Sequence, residues 1–344
     1  MWPFVTPQRG ERGLFGGVPA CSTMDHETAA AVADRVLDAV GSAVIAGDPF
    51  LETMMTGILA RGHVLLEDVP GTGKTLTAQS VSKALGLSFS RIQFTPDLLP
   101  ADITGTNVFH ENEGDFEFQP GPIFANVVLA DEINRAPPKT QAALLEAMAE
   151  GQVTVEGETR ELPDPFIVIA TQNPVESEGT FPLPEAQVDR FAVKDSMGYP
   201  ERDGEIELLR RRAGRTEQVP SVERVLDDGM VETLQHVPEE VHADPDLLDY
   251  VADVARATRE DRRVEVGVSP RGTQRLFEIS RAHATLRSRE FLTPDDVKAV
   301  AEQALAHRLV LTPEAQVDGV DKAVVIADVL DSVEVPTVDA APEA

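Results

Sequence analysis

The chain has 344 residues, 42% of them hydrophobic, and a formal net charge of −29 from 59 Asp plus Glu against 30 Lys plus Arg. That length suits one large domain or two ordinary ones, and the apolar share suits a globular chain with a real core rather than a disordered one. No apolar run approaches the roughly 18 residues that span a bilayer, and the lone Cys21 excludes a disulfide framework or a cysteine metal site, so a cytoplasmic setting fits.

Residues 1–23 lack the continuous apolar stretch and the cleavage site of a signal peptide. They are expected to be a disordered extension, or the result of too early a start codon with Met24 as the true start. Residues 28–60 read as helices, with Val32, Val36, Ala39 and Val40 on one face. "HVLLED" is a short buried strand running into "PGTG". "TLTAQSVSKALG" follows as a helix stopped by Gly86, and "SRIQF" as a second strand. "TNVF" and "DFEF" flank "HENEG", which predicts a hairpin over 106–118. "NVVLADE" is a third buried strand, "KTQAALLEAMAEG" a helix stopped by Gly151, "QVTVEGETREL" a second hairpin over 152–162, and "FIVIATQ" a fourth strand.

Strands alternating with helices predict a mostly parallel sheet covered on both faces. After "DRFAVKDSMGYP" the texture changes. From residue 201 to 311 the pattern is helical, with no strand-like alternation, which places a domain boundary near residue 198. From 312 the chain reads as an acidic, proline-dotted tail, partly helical at "VDKAVVIADVL" and frayed at its end. The domain expectation is therefore 1–23, 24–198, 199–311 and 312–344, without internal repeats.

The chemistry-bearing stretch is Asp68-Val69-Pro70-Gly71-Thr72-Gly73-Lys74-Thr75-Leu76. It fits G-x-x-x-x-G-K-[ST], the phosphate loop, except that Asp68 replaces the first glycine. Gly71 and Gly73 let the backbone turn its N–H groups inward, and the following helix aims its positive end at the same place. Lys74 would reach the β- and γ-phosphates of ATP, and Thr75 would ligate Mg²⁺. An acid beside phosphates is repelled, so the Asp68 side chain is expected to point away or to bond the loop's own amides. The strand "VVLADE" ends in Asp131, suited to hold Mg²⁺ through water, and Glu132, suited to polarise the attacking water. Without the phosphate loop the two acids would read equally well as a solvated strand end.

Three more residues suit an ATP-driven machine. Asn173 follows the fourth strand and would contact the γ-phosphate and water, although an asparagine there is also an ordinary turn former. Arg190, in "EAQVDRF", would reach a neighbouring subunit's nucleotide as an arginine finger, or make a surface salt bridge. Arg271, after Pro270 at a helix start, would fold onto the phosphates when domains close, or remain a solvated charge.

These pieces, in this order, resemble AAA+ ATPases, and the long stretches "GHVLLEDVPGTGKT", "QFTPDLLPADITGT", "PGPIFANVVLADEINRAPPKTQAALLEAMAE", "FIVIATQNPVESEGTFPLPEAQVDRF" and "VSPRG" resemble the MoxR family over about residues 43–311. The resemblance implies a P-loop NTPase αβα sandwich with a parallel sheet and a C-terminal all-helical lid. It assigns Lys74 and Thr75 to the phosphate loop, Asp131 and Glu132 to the metal and water strand, Asn173 to the first sensor, Arg190 to the finger and Arg271 to the second sensor. It implies a homo-oligomer, a hexameric ring with the two hairpins facing its centre. The activity implied is chaperone-like remodelling, maturation or metal-cofactor insertion of a client, often with a von Willebrand factor A domain partner. Alternatives are a magnesium-chelatase ATPase subunit, a nucleic-acid motor, or a switch that binds nucleotide but hydrolyses slowly. A nucleic-acid motor fits poorly: the first hairpin carries His110, Glu111, Glu113, Asp115 and Glu117 without Lys or Arg, and the second has only Arg160 among Glu156, Glu158 and Glu161.

The net charge admits three readings: repulsion of nucleic acid, disorder, or solubility in a salty interior. With six lysines against 24 arginines, the acidic, lysine-poor composition resembles that of halophilic archaea. The histidines are scattered, with no ligand-like pair on one helix.

Overall fold

The structure, a computed structural model, describes residues 24–112, 114–174, 179–214 and 221–337. The extension over 1–23 and the last residues of the tail lie outside that description.

In chain order, α1 (His26–Ala43) and α2 (Asp48–Leu59) precede β1 (Val64–Glu67), α3 (Lys74–Ala84), β2 (Phe89–Gln93) and the short α4 (Pro100–Thr104). Then come β3 (Gly105–His110), β4 (Asp115–Pro120), β5 (Val127–Asp131), α5 (Pro138–Glu150), β6 (Gln152–Val155), β7 (Glu158–Glu161), β8 (Ile167–Gln172), α6 (Glu185–Val188) and β9 (Val193–Asp195). The second half contains α7 (Arg202–Gly214), α8 (Met230–Glu240), α9 (Pro245–Glu260), β10 (Val264–Val266), α10 (Pro270–Leu286) and α11 (Pro294–Leu305). It closes with β11 (Val310–Leu311), α12 (Pro313–Val317) and α13 (Lys322–Ser332).

The five-stranded sheet runs β2-β5-β8-β1-β9 and every pairing in it is parallel. Both faces are buried, and alternate side chains serve opposite sides. Val127, Leu129, Ile167 and Ile169 pack with α1, α2 and α3, while Val128, Ala130, Val168 and Ala170 pack with α4 and α5. This is why β5 and β8 read as unbroken apolar runs. The architecture is a P-loop NTPase αβα sandwich with helices beyond it.

His63 braces the lower edge. Its Nδ1 accepts the Val168 N–H at 3.1 Å, so its Nε2 carries the proton and donates to the Met148 carbonyl at 3.1 Å. Burial pulls its pKa down to about 4, which keeps the ring neutral.

Both hairpins form and touch each other. The Asn107 amide donates to Glu156 at 2.8 Å, and the Arg160 guanidinium stands 3.8 Å over the Phe118 ring. Phe109 and Phe116 pair across the first hairpin with ring centroids 5.1 Å apart, and remain 49% and 65% exposed.

The second half departs from the all-helical expectation in one place: β10 and β11 pair as a two-stranded antiparallel sheet. Segments of two and three residues are too short to show alternation. The segment expected as a tail also packs more than its composition suggested. Val325, Ile326 and Val329 of α13 are buried in the same core as α9 and α11. Their i, i+1, i+4 spacing forms an apolar stripe that the flanking acids obscured.

Candidate active site

The carboxyl ends of β1, β5 and β8 open on one cavity of about 400 Å³. Pro70, Gly71, Gly73, Lys74, Thr75 and Leu76 line one wall, and Asp131, Glu132 and Asn173 another. Lys74 and Asn173, 99 positions apart in sequence, thus meet where an open parallel sheet places its ligands. Gly71 and Gly73 adopt φ of 89° and 104°, conformations that a side chain would strain, and Gly73 is the N-cap of α3. Thr72 lies in the same turn, its hydroxyl directed at the Val69 carbonyl, but does not line the cavity.

Lys74 Nζ donates to the carbonyls of Asp68 and Val69 at 2.7 and 3.0 Å, which holds the ammonium inside the loop. Burial draws its pKa below the ordinary lysine value, against the opposing pull of Asp68, Asp131 and Glu132.

The two acids are held by neighbours that sequence reasoning missed. Ala130 registers with Ala170, so Asp131 and Thr171 lie side by side one step on. The Thr171 hydroxyl donates to Asp131 Oδ1 at 2.7 Å and accepts the Glu132 amide at 2.8 Å. Arg91 of β2 donates to Asp131 Oδ2 through Nη2 at 2.6 Å and Nε at 3.1 Å, and it lines the cavity too. Glu132 has a left-handed backbone, φ 57°, which turns it out of the strand direction. Its carboxylate accepts from the Gln93 amide at 2.9 Å and from Arg135 at 3.0 Å. In sequence, Arg91 and Gln93 are only the polar positions of a short strand.

Oxygen donors are what Mg²⁺ requires, and Thr75 and Asp131 supply a hydroxyl and a carboxylate to the same cavity. Among the described residues no cluster of three His, Cys, Asp or Glu could form a metal cage. That suits a metal shared with substrate phosphates rather than one caged by protein. A larger cavity of about 740 Å³ lies between α1, α2 and α7, lined by Asp34, Asp38, Asp48, Glu52, Asp203 and Glu207 against a single Arg211. Six acids there would repel a triphosphate, whereas the glycine-loop cavity offers it Lys74 and Arg91.

Residues 63–193 match the model of the ATPase family associated with various cellular activities (AAA), and residues 256–329 match the AAA lid domain. The chain is 42% identical over 319 residues to Chaperone MoxR1 from Mycobacterium tuberculosis, covering 90% of this chain and 84% of that protein. The chain belongs to the MoxR family of AAA+ ATPases. It is also 46% identical over 282 residues to the uncharacterized protein YeaC from Bacillus subtilis, covering 82% of this chain and 88% of that one. A solved structure from Cytophaga hutchinsonii superposes with a TM-score of 0.84 at 37% identity, over 91% of this chain and 97% of that chain.

Within this MoxR-family chain the two expected arginines stand apart from the cavity. Arg190 follows α6, where Nη1 donates to the Leu145 carbonyl, and Arg271 is the second residue of α10. Neither lines the phosphate cavity. Asp68 takes the first of its two expected courses. Its carboxylate points away from the phosphate side but bonds a distant segment, not its own loop. It accepts the Ser196 hydroxyl at 2.8 Å and the amides of Met197 and Gly198 at 2.7 and 3.0 Å. The register explains this: Leu66 pairs with Asp195, so Asp68 falls opposite the chain leaving β9.

Proposed function

We propose that this chain hydrolyses ATP and uses the energy for chaperone-like remodelling of a client protein, either its maturation or its loading with a metal cofactor. The convergence of Lys74, Asp131, Glu132 and Asn173 on one cavity carries the reading. Thr75 and Asp131 would hold Mg²⁺, whose chemistry is to neutralise charge on the phosphate oxygens. Loop amides and Lys74 grip the phosphates, Glu132 orients and polarises the attacking water, and Asn173 positions that water against the γ-phosphate. Arg190 completes the site of a neighbouring subunit in a hexameric ring, and Arg271 reports the γ-phosphate to the lid. Loss of that phosphate lets the lid swing, and the motion reaches the two linked hairpins. The exposed Phe109–Phe116 pair supports a client contact there. A von Willebrand factor A domain partner, a cytoplasmic setting and a salt-rich interior complete the proposal.

Glu132→Gln tests the core of it. The variant should bind ATP with near wild-type affinity and lose turnover on the order of a hundredfold or more, and it should co-purify with nucleotide. Rapid hydrolysis by this variant would remove Glu132 from its role.

A further inference from the structure

Arg308 is a deeply buried arginine contact between the two halves of the chain, its side chain 1% exposed. It follows α11 and reaches across to the segment that carries Arg190. Its Nε stands 2.9 Å from Asp189 Oδ1, a close ion pair that is not an aligned hydrogen bond. Its Nη2 donates to the Phe191 carbonyl at 2.7 Å and lies 3.3 Å from that of Asp189. Nη1 lies 3.4 Å from the Ala192 carbonyl and also bonds Ala304. The guanidinium therefore holds the backbone on both sides of Arg190. His307 adds a contact at 3.2 Å to the same Phe191 carbonyl.

The same side chain packs under the start of α10. A Cβ at Gly272 would stand 2.9 Å from Arg308 Cδ, so only glycine allows this approach. Ser269, which caps α10 by accepting the Gly272 amide at 3.1 Å, places its hydroxyl 3.5 Å from Asp189 Oδ2. Arg271 lies between that cap and Gly272, and its charge, with that of Arg275, bears on Arg308. A buried cation so placed is costly unless paired, and a hydrophobic residue would fill the space as well. The geometry that repays the charge is the simultaneous grip on two segments.

We propose that Arg308 is a positioning residue for a shared active site: it ties the backbone carrying Arg190 to the helix start carrying Arg271, so that the lid angle of one subunit sets where its arginine stands in the next subunit's site. This rests on the reading above that Arg190 acts in a neighbour. The link has two discrete outcomes, since a buried ion pair either holds or breaks. The chain segment it grips is only four residues long, which leaves Arg190 little freedom to move independently.

Mixed assemblies test it. Wild-type subunits are mixed with an excess of a donor that is silent at its own site: Glu132→Gln, Glu132→Gln/Arg190→Ala, or Glu132→Gln/Arg308→Met. All turnover then comes from wild-type sites, and only their neighbours differ. With the Arg308→Met donor, turnover per wild-type subunit should fall about tenfold or more, approaching the Arg190→Ala donor, with KM for ATP nearly unchanged. If the Arg308→Met donor supports wild-type sites as well as Glu132→Gln alone, the link is overturned. If the Arg190→Ala donor also supports them fully, it is the shared-site reading itself that fails. Should Arg308→Met not enter the assembly, a Glu132→Gln/Asp189→Asn donor, which keeps the volume and removes the pairing charge, decides by the same comparison.

Discussion

The Asp68 carboxylate accepts the Ser196 hydroxyl at 2.8 Å across 128 positions of sequence, and the Met197 and Gly198 amides close on the same group. The phosphate loop is thereby fastened to the chain that leaves the sheet toward α7. Met197 also packs on the loop, its terminal methyl 3.6 Å from where a Gly73 Cβ would stand.

Asp68→Ala is therefore expected to destabilise the fold by about 1–3 kcal/mol, because two part-buried amides lose their acceptor along with a charge-assisted hydroxyl bond. Denaturant unfolding of variant and wild type measures this. A loss below about 0.5 kcal/mol would mean that the segment repairs itself with water.

Thr171→Val keeps the shape of the side chain but removes the hydroxyl that joins Asp131 to the Glu132 amide. Turnover should fall about ten- to hundredfold through misplacement of both acids, while ATP binding stays near normal because the glycine loop is untouched. Steady-state rates beside nucleotide titration would show the split; an equal loss in both would point to a collapsed cavity instead.

Asp195 provides a pH signature. Burial raises its pKa from 3.8 to about 6, helped by the charges of Glu302 and Asp68 and opposed by the Ser196 amide and Thr53. A carboxyl whose folded pKa is raised contributes its stability below the unfolded pKa and loses it as pH climbs through the folded one. Asp195→Asn, which cannot ionise, should be more stable than wild type above about pH 6, by on the order of 2 kcal/mol, and the gap should close toward pH 4. Unfolding curves at pH 4.5 and 7.5 check the sign; a gap independent of pH would contradict it.

The surplus of acidic side chains predicts a salt response. Raising KCl from 0.1 to 2 M shortens screening from about 10 Å to below 3 Å, which relieves repulsion among exposed carboxylates. The thermal midpoint should rise by several degrees. A midpoint that falls with salt would remove the salt-rich interior from the proposal.

The sequence alone determined the elements whose signals are contiguous. The glycine loop between a strand and a helix, the two acids closing "VVLADE", the glycine-stopped helices and both hairpins depend on backbone conformations and periodicities within a dozen residues. Chain order and the long MoxR-like stretches did the rest, down to the αβα layers and the lid. The tertiary structure decided what holds those pieces. Arg91 and Thr171 look unremarkable in their strands, and they matter only because register sets them beside Asp131. Asp68 is chemically legible as an acid that must avoid phosphate, but its partners at 196–198 follow from β9 lying next to β1. Arg308 reads as the last charge of a helix until the fold sets it against Asp189, and α13 reads as tail until its apolar stripe meets α9 and α11. Local sequence specifies φ, ψ and which face is apolar; which distant groups then share a desolvated space depends on the path of the whole chain, and there a charge or hydroxyl acquires its role.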